Sequence, residues 1–145
     1  MTERIRGRRG DYGRFVRLTT RWADNDAYGH VNNVAYYAFI DTAVNQMLIE
    51  AGLLDVTGSE VIGVAAESGC RFHASAAYPD VIHAGVRVGR LGSSSIRYEI
   101  GLFRNDEDEA TAEGFFVHVM VRRATMRPAA IPEALRAFLD GLTKP

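Results

Sequence analysis

The spacing of apolar positions changes several times along the chain. Residues 14–22, RFVRLTTRW, alternate loosely at the two-residue period of a strand, and they predict a first β-strand. From about Asn33 to Ala51 the spacing lengthens. Tyr36, Ile40, Ala43 and Met47 recur at helical intervals, with Tyr37, Val44 and Leu48 as a second apolar row beside them. Only Asp41, Asn45 and Gln46 interrupt these rows, which is the pattern of a central, largely buried helix. Gly52 suits its C-terminal stop.

Beyond this helix the two-residue period returns in four segments: 60–76, 81–91, 95–104 and 111–124. Ile82, Ala84, Val86 and Val88 share one face of the second segment, and Ile96, Tyr98, Ile100 and Leu102 share one face of the third. The fourth is apolar on both faces, with Phe115, Val117, Val119 and Val121 on one and Phe116, His118 and Met120 on the other. GSS at 92–94 and NDED at 105–108 read as hairpin turns. A last helix is expected from Pro132 to Leu142, with proline in its first turn. Strand, long helix, then four strands joined by three tight links predict an α+β fold: a curved, antiparallel, five-stranded sheet wrapped around the helix. The two-sided fourth segment implies cover on the outer face as well, which a second subunit would supply.

A chain of 145 residues with 47% hydrophobic and 24% charged residues fits one domain, spanning 1–145. No apolar run is long enough to span a bilayer. MTERIRGRRG at the N-terminus lacks an apolar signal core, so a cytoplasmic setting is expected. Cys70 is the sole cysteine. It rules out an internal disulfide or a multi-cysteine zinc site and reads as a plain, part-buried thiol in a reducing compartment. Net charge is −1, yet all but one of the 17 basic residues are arginine, and seven of these fall between Arg4 and Arg21. Residues 1–13 read as a solvated, flexible Arg-rich tail, with nucleic-acid binding the weakest of the functional alternatives.

The densest chemistry is DNDAYGHVNN, Asp24 to Asn33, set directly against the start of the long helix. A helix beginning near Asn33 presents unpaired N–H groups and the positive end of its dipole. Asn32 or Asn33 suits the N-cap, and Gly29 lets the backbone turn tightly. Such an end can receive an oxygen that becomes negative during attack on a carbonyl. Asp26, a few residues upstream, is a carboxylate able to attack an acyl carbon or to deprotonate a water that does. The same Asp, Asn and Gly residues are also ordinary in loops and caps.

The segment RWADNDAYGHVNNVAYYAFIDTAVNQMLIEAG resembles the opening of hotdog-fold acyl-CoA thioesterases of the 4-hydroxybenzoyl-CoA thioesterase-like family. The shared motif is Trp22, Asp24, Asp26 and Gly29, followed by a tyrosine-containing helix with Tyr36 and Tyr37. CRFHASAAYPDVIHAGVRV and LGSSSIRYEI are similar to the following strands, so the resemblance covers about residues 14–124. It implies hydrolysis of an acyl-CoA or acyl carrier protein thioester, with Asp26 as nucleophile or general base and Asp24 as a structural residue. It places the oxyanion donor at the helix start near Asn33, and in the acyl-chain branches it gives His30 a part in catalysis. Tyr28 stands where those branches have asparagine, and Asn33 where another branch has histidine.

The same resemblance implies no metal and no cofactor other than the coenzyme A of the substrate, with active sites at the interface of a homodimer or homotetramer. It puts the acyl group along the helix among Tyr36, Tyr37, Ile40 and Val44, beside Tyr28. The nucleotide falls near Arg90, Ser94 and Ser95, with Arg97, Arg122 and Arg123 as further phosphate partners. Glu67 lies where a different hotdog branch carries its carboxylate, but it also reads as an exposed strand glutamate. Asp41 reads as a polar residue satisfied at the helix surface or across an interface. His73, His83 and His118 lack metal-ligand spacing. Two other functions fit the same fold: a hotdog dehydratase or hydratase, and a non-catalytic acyl-CoA binding domain.

Overall fold

The computed structural model describes residues 5–143. Its elements are β1 Arg14–Thr19, α1 Asn33–Glu50, β2 Val61–Phe72, β3 Val81–Leu91, β4 Ser95–Arg104, β5 Ala112–Arg122 and α2 Glu133–Asp140. The strands form one antiparallel sheet in the order β1-β3-β4-β5-β2, with α1 lying across one face. This is the hotdog arrangement. Among the described residues no helix is long and apolar enough to cross a membrane.

The core is built from the periodicities of the elements. From α1, Tyr36, Phe39, Ile40, Ala43, Val44, Met47 and Leu48 are buried. They meet Ile82, Ala84, Val86 and Val88 of β3, Ile96, Tyr98, Ile100 and Leu102 of β4, and Phe116 and Met120 of β5. Each fully buried apolar side chain of this kind contributes about 1.5–3 kcal/mol. Register shifts between Ala65 and Glu67 in β2 and between Val88 and Arg90 in β3 are bulges, which curve a sheet around a helix. The helix ends as Gly52 suggested. Gly52 has φ +74, its N–H donates to the Ile49 carbonyl, and the Leu53 N–H donates to the Leu48 carbonyl. These two bonds are a Schellman closure.

Four expectations are corrected. First, only two of the three expected hairpins form, β3–β4 and β4–β5. β2 pairs with β5 at the sheet edge, so residues 73–80 cross from one side of the sheet to the other. Second, β1 stops at Thr19, and Trp22–Asp24 forms a 3-10 turn instead of strand. The Asp24 carboxylate causes this by accepting the Arg21 N–H at 2.8 Å and folding the chain back.

Third, the N-terminal segment is docked where it is described; residues 1–4 of the expected tail lie outside the described residues. Arg6 donates twice to the Ala110 carbonyl, Ala110 N–H donates to the Gly7 carbonyl, and Arg9 donates to Glu107 O and His83 Nδ1. Tyr12 packs edge-on to Phe103 at 5.9 Å on the outer face, over Gly85 and Gly101, where any Cβ would collide with its ring. This strap, together with the Arg97 guanidinium 4.1 Å over Phe115, covers outer-face apolar groups within a single chain. Fourth, α1 is buried on one side only: Val34, Tyr37 and Ile49 are exposed.

Candidate active site

The loop between β1 and α1 is tied down by main-chain bonds. Asn32 N–H donates to the Asp24 carbonyl at 2.8 Å, Asp26 N–H to the His30 carbonyl at 2.9 Å, and Gly29 N–H to the Asp26 carbonyl at 3.1 Å. Gly29 has φ +80, the left-handed conformation that glycine adopts without strain. The β2–β3 crossing segment clamps this loop from outside: Val31 N–H donates to the Ala76 carbonyl at 2.7 Å, and Tyr78 N–H to Asn25 Oδ1 at 3.1 Å.

Asp24 and Asp26 lie in different settings. Asp24 is 5% exposed, and its carboxylate is bonded to the backbone and side chain of Arg21, so it holds the turn. Asp26 is half-buried, and its Oδ1 accepts the Tyr28 N–H at 2.9 Å. That bond fixes the side chain and leaves Oδ2 for other work.

At the helix start, Asn32 is the N-cap. Its Oδ1 accepts the Val34 N–H at 2.9 Å, and its carbonyl accepts the Ala35 N–H. Among the described residues the Asn33 N–H has no such partner, and it sits at the positive end of the α1 dipole.

Asp26, His30, Asn33 and Tyr36 line one cavity of about 330 Å³ with Val31, Phe72, Ala74 and Ser75. Residues that carry a carboxylate, a helix N-terminal amide and an imidazole therefore line the same space. Such a set can polarise a carbonyl, deliver a nucleophile or activated water, and hold a negative oxygen. Tyr36 is buried, and burial raises its phenol above the ordinary value while the Ala76 backbone pulls the other way.

The other expected residues lie elsewhere. Tyr28 is almost fully exposed and contributes its backbone N–H, whereas Tyr37 is on the open side of α1. Arg90, Ser94 and Ser95 surround the β3–β4 hairpin and do not line this cavity. Ser94 and Ser95 use their carbonyls there, accepting from Met120 N–H and Gly92 N–H. Arg97 pairs with Glu99, and Arg123 donates to the Ser59 and Val56 carbonyls. Glu67 is exposed on β2. Asp41 is exposed and accepts from Asn45 Nδ2 at 3.1 Å. Cys70 is half-buried, and burial pushes its thiol up to about 11, as befits a packing residue. Phe72, Ala74 and Ser75 were not singled out as site residues from the sequence. Their one sequence signal is that they precede the YPDV turn of the resembling segment.

Among the described residues, no three His, Cys, Asp or Glu side chains gather into a metal-holding group.

Comparison with known proteins agrees with this fold. The chain is similar to the PA5185 protein of Pseudomonas aeruginosa, at 53% identity over 97% of this chain and 98% of that one, with a TM-score of 0.93. The PA2801 protein of the same organism is 30% identical over 86% of this chain and 95% of that one, with a TM-score of 0.79. The 1,4-dihydroxy-2-naphthoyl-CoA thioesterase Slr0204 of Synechocystis shares the fold at 14% identity, covering 90% of this chain and 98% of that one, with a TM-score of 0.78. No match is found among curated proteins. The sequence profile of the thioesterase-like superfamily matches residues 20–139, and the chain belongs to that superfamily.

Proposed function

We propose that this protein hydrolyses an acyl-CoA or acyl carrier protein thioester to the free acid and thiol. The observation that carries this reading is that Asp26 and Asn33, the first residue of α1, line one cavity. The thioester carbonyl oxygen sits at the Asn33 N–H, where the α1 dipole stabilises the charge that develops on attack. Asp26 Oδ2 either attacks the carbonyl carbon, giving a mixed anhydride that water then opens, or takes a proton from the water that attacks. In both routes the carbon–sulfur bond breaks, the thiolate leaves and takes up a proton, and one water is consumed. His30 is on the cavity wall, where it orients the water or the Asp26 carboxylate. Coenzyme A enters only as part of the substrate.

The reading includes a homodimer or homotetramer. β2 is an edge of the sheet, and pairing it with a second copy removes that edge. In such an assembly the hairpin with Arg90, Ser94 and Ser95 is proposed to serve the nucleotide of the carrier, from the same or the neighbouring chain. A cytoplasmic setting belongs to the same proposal.

The test is thiol release from a panel of short, long and aromatic acyl-CoAs. Turnover in the wild type, with loss of about 10²–10⁴-fold in Asp26→Asn, supports the assignment. Full turnover in that variant removes it. A change in enoyl absorbance without thiol release would instead indicate a hydratase, and tight binding with neither signal an acyl-CoA binding domain.

A further inference from the structure

We infer that Arg104 is a positioning residue of the Asp26 cavity, acting through the Ser75 carbonyl that it holds. The inference rests on the thioester reading and deepens it. It concerns a wall that one chain supplies by itself, whatever a second copy adds beside it.

That wall is the start of the β2–β3 crossing, where Ala74 and Ser75 line the cavity with Asp26 and His30. Residues 73–80 form neither helix nor strand, so their backbone groups need partners outside the segment. At its start these come from the end of β4 and the connection to β5. Thr111 is fully buried. Its carbonyl accepts the His73 N–H at 2.9 Å and the Ala74 N–H at 3.1 Å, and its hydroxyl accepts the Arg104 N–H at 3.2 Å. One residue further, the Arg104 guanidinium donates from Nη1 to the Ser75 carbonyl. Its Nε donates to the Glu107 carboxylate, so the planar fork is held at two points.

The next links reach the site loop. The Ala76 carbonyl accepts the Val31 N–H at 2.7 Å, and Val31 itself lines the cavity. Contacts therefore run from Glu107 through Arg104, Ser75 and Ala76 to the residue after His30. Arg104 is not among the cavity's lining residues, so its effect is on placement. A displacement of about 1 Å, caused outside the chemistry, can cost about 10²-fold in rate.

Asn105 is the contrast. Its Oδ1 accepts the Val81 N–H at 3.0 Å and its Nδ2 donates to Asp80 Oδ1 at 3.1 Å. It thus holds the far end of the crossing, which does not line the cavity. Asn105 has φ +51, and Asn105→Gly keeps that conformation without strain while removing both bonds.

The test compares Arg104→Gln, Arg104→Lys and Asn105→Gly with wild type, all as full chains. On an acyl-CoA that the wild type hydrolyses, Arg104→Gln should lower kcat about tenfold or more, with KM changed less than about threefold. Arg104→Lys keeps a charged donor for the Ser75 carbonyl and should recover about threefold or more of that loss. Asn105→Gly should lower Tm yet keep kcat within about twofold of wild type. Amide hydrogen exchange, read by mass spectrometry, needs no substrate. Arg104→Gln should speed exchange about fivefold or more in residues 73–77 and 24–33, whereas Asn105→Gly leaves 24–33 at the wild-type rate.

A folded Arg104→Gln variant with wild-type kcat overturns the inference, as does unchanged exchange in both segments. So does a lysine variant no better than the glutamine one, or an equal loss of kcat in Asn105→Gly, which would make both residues simply structural. If Arg104→Gln does not fold, Glu107→Gln frees the same fork from its other partner and is read by the same criteria. A wild type without thiol release removes the hydrolase reading, and the exchange measurement then decides by itself whether Arg104 holds the wall.

Discussion

At the scale of single residues, burial separates groups that look alike in sequence. Asp24 and Asp26 share one short loop, yet one is locked to Arg21 and the other is half-buried and lines the cavity. The expected consequence is a split: Asp26→Asn loses turnover at near-normal stability, whereas Asp24→Ala loses stability, seen as a lower Tm. His118 is distinct from the other histidines. It is 3% exposed, lies against Gly63 and touches the rings of Tyr98 and Phe116. Burial lowers its pKa below 6.5, with the Asp41 carboxylate acting in the opposite direction. The folded chain thus prefers neutral His118, and the unfolded chain takes up the proton first. Stability is full above about pH 6.5 and falls as the pH drops toward the lowered folded value. Thermal melts at about pH 8 and about pH 5.5 should show this loss, and His118→Gln should flatten it. A variant with the wild-type acid slope would assign the effect elsewhere, for instance to His83, whose pKa is also lowered by burial and by Arg9 and Arg17.

At the scale of elements, α1 is positioned by its ends and by the glycine beneath it. Asn32→Ala removes the cap on the Val34 N–H, and a loss of about 1 kcal/mol is expected in urea unfolding. Because that cap also places the Asn33 amide, turnover should fall with it. Gly114→Ala drives a Cβ toward Ile40 and toward the Gly69 carbonyl, 2.7 Å away, and should cost about 1–3 kcal/mol. Gly10→Ala, which meets nothing within 4 Å, is the control and should stay within about 0.5 kcal/mol of wild type. Equal effects at both glycines would contradict the tight helix–sheet contact. The long helix and the inward faces of β3 and β4 are legible in the sequence because their periods are strict. The β2 partner is not legible: β2 and β3 are neighbours in sequence, but β2 pairs with β5, and that choice depends on register across the whole sheet.

At the scale of the whole molecule, the N-terminal strap and the free β2 edge set the surface. The basic residues after Arg4 read as a solvated arm because arginine composition does not reveal which carbonyls a guanidinium will reach. In the fold, Arg6 and Arg9 close on the β4–β5 connection and Tyr12 covers Phe103. Arg87 lies over the Tyr12 ring, 4.9 Å from its centroid. Tyr12→Ala should therefore cost about 3 kcal/mol in chemical denaturation, the scale of removing a buried aromatic. A change below about 0.5 kcal/mol, the usual effect of a surface substitution, would mean the strap is not part of the stable fold. Light scattering should give a mass twice or four times that of the chain. A monomer with full turnover would remove the proposed interface along β2.

What the sequence by itself determined is local: the long helix and its glycine stop, the strands that face it, and the polar loop whose aspartate and asparagine bracket the helix start. These follow from backbone periods of two and 3.6 residues and from capping chemistry, which act between near neighbours in the chain. The tertiary structure alone decided the strand order, the crossing segment that walls the site with Ala74 and Ser75, the docking of the strap and the ring cluster of Tyr36, Phe39 and Phe72. Each of these depends on contacts between residues far apart in sequence, and close packing selects among such contacts only once the whole sheet has closed around the helix.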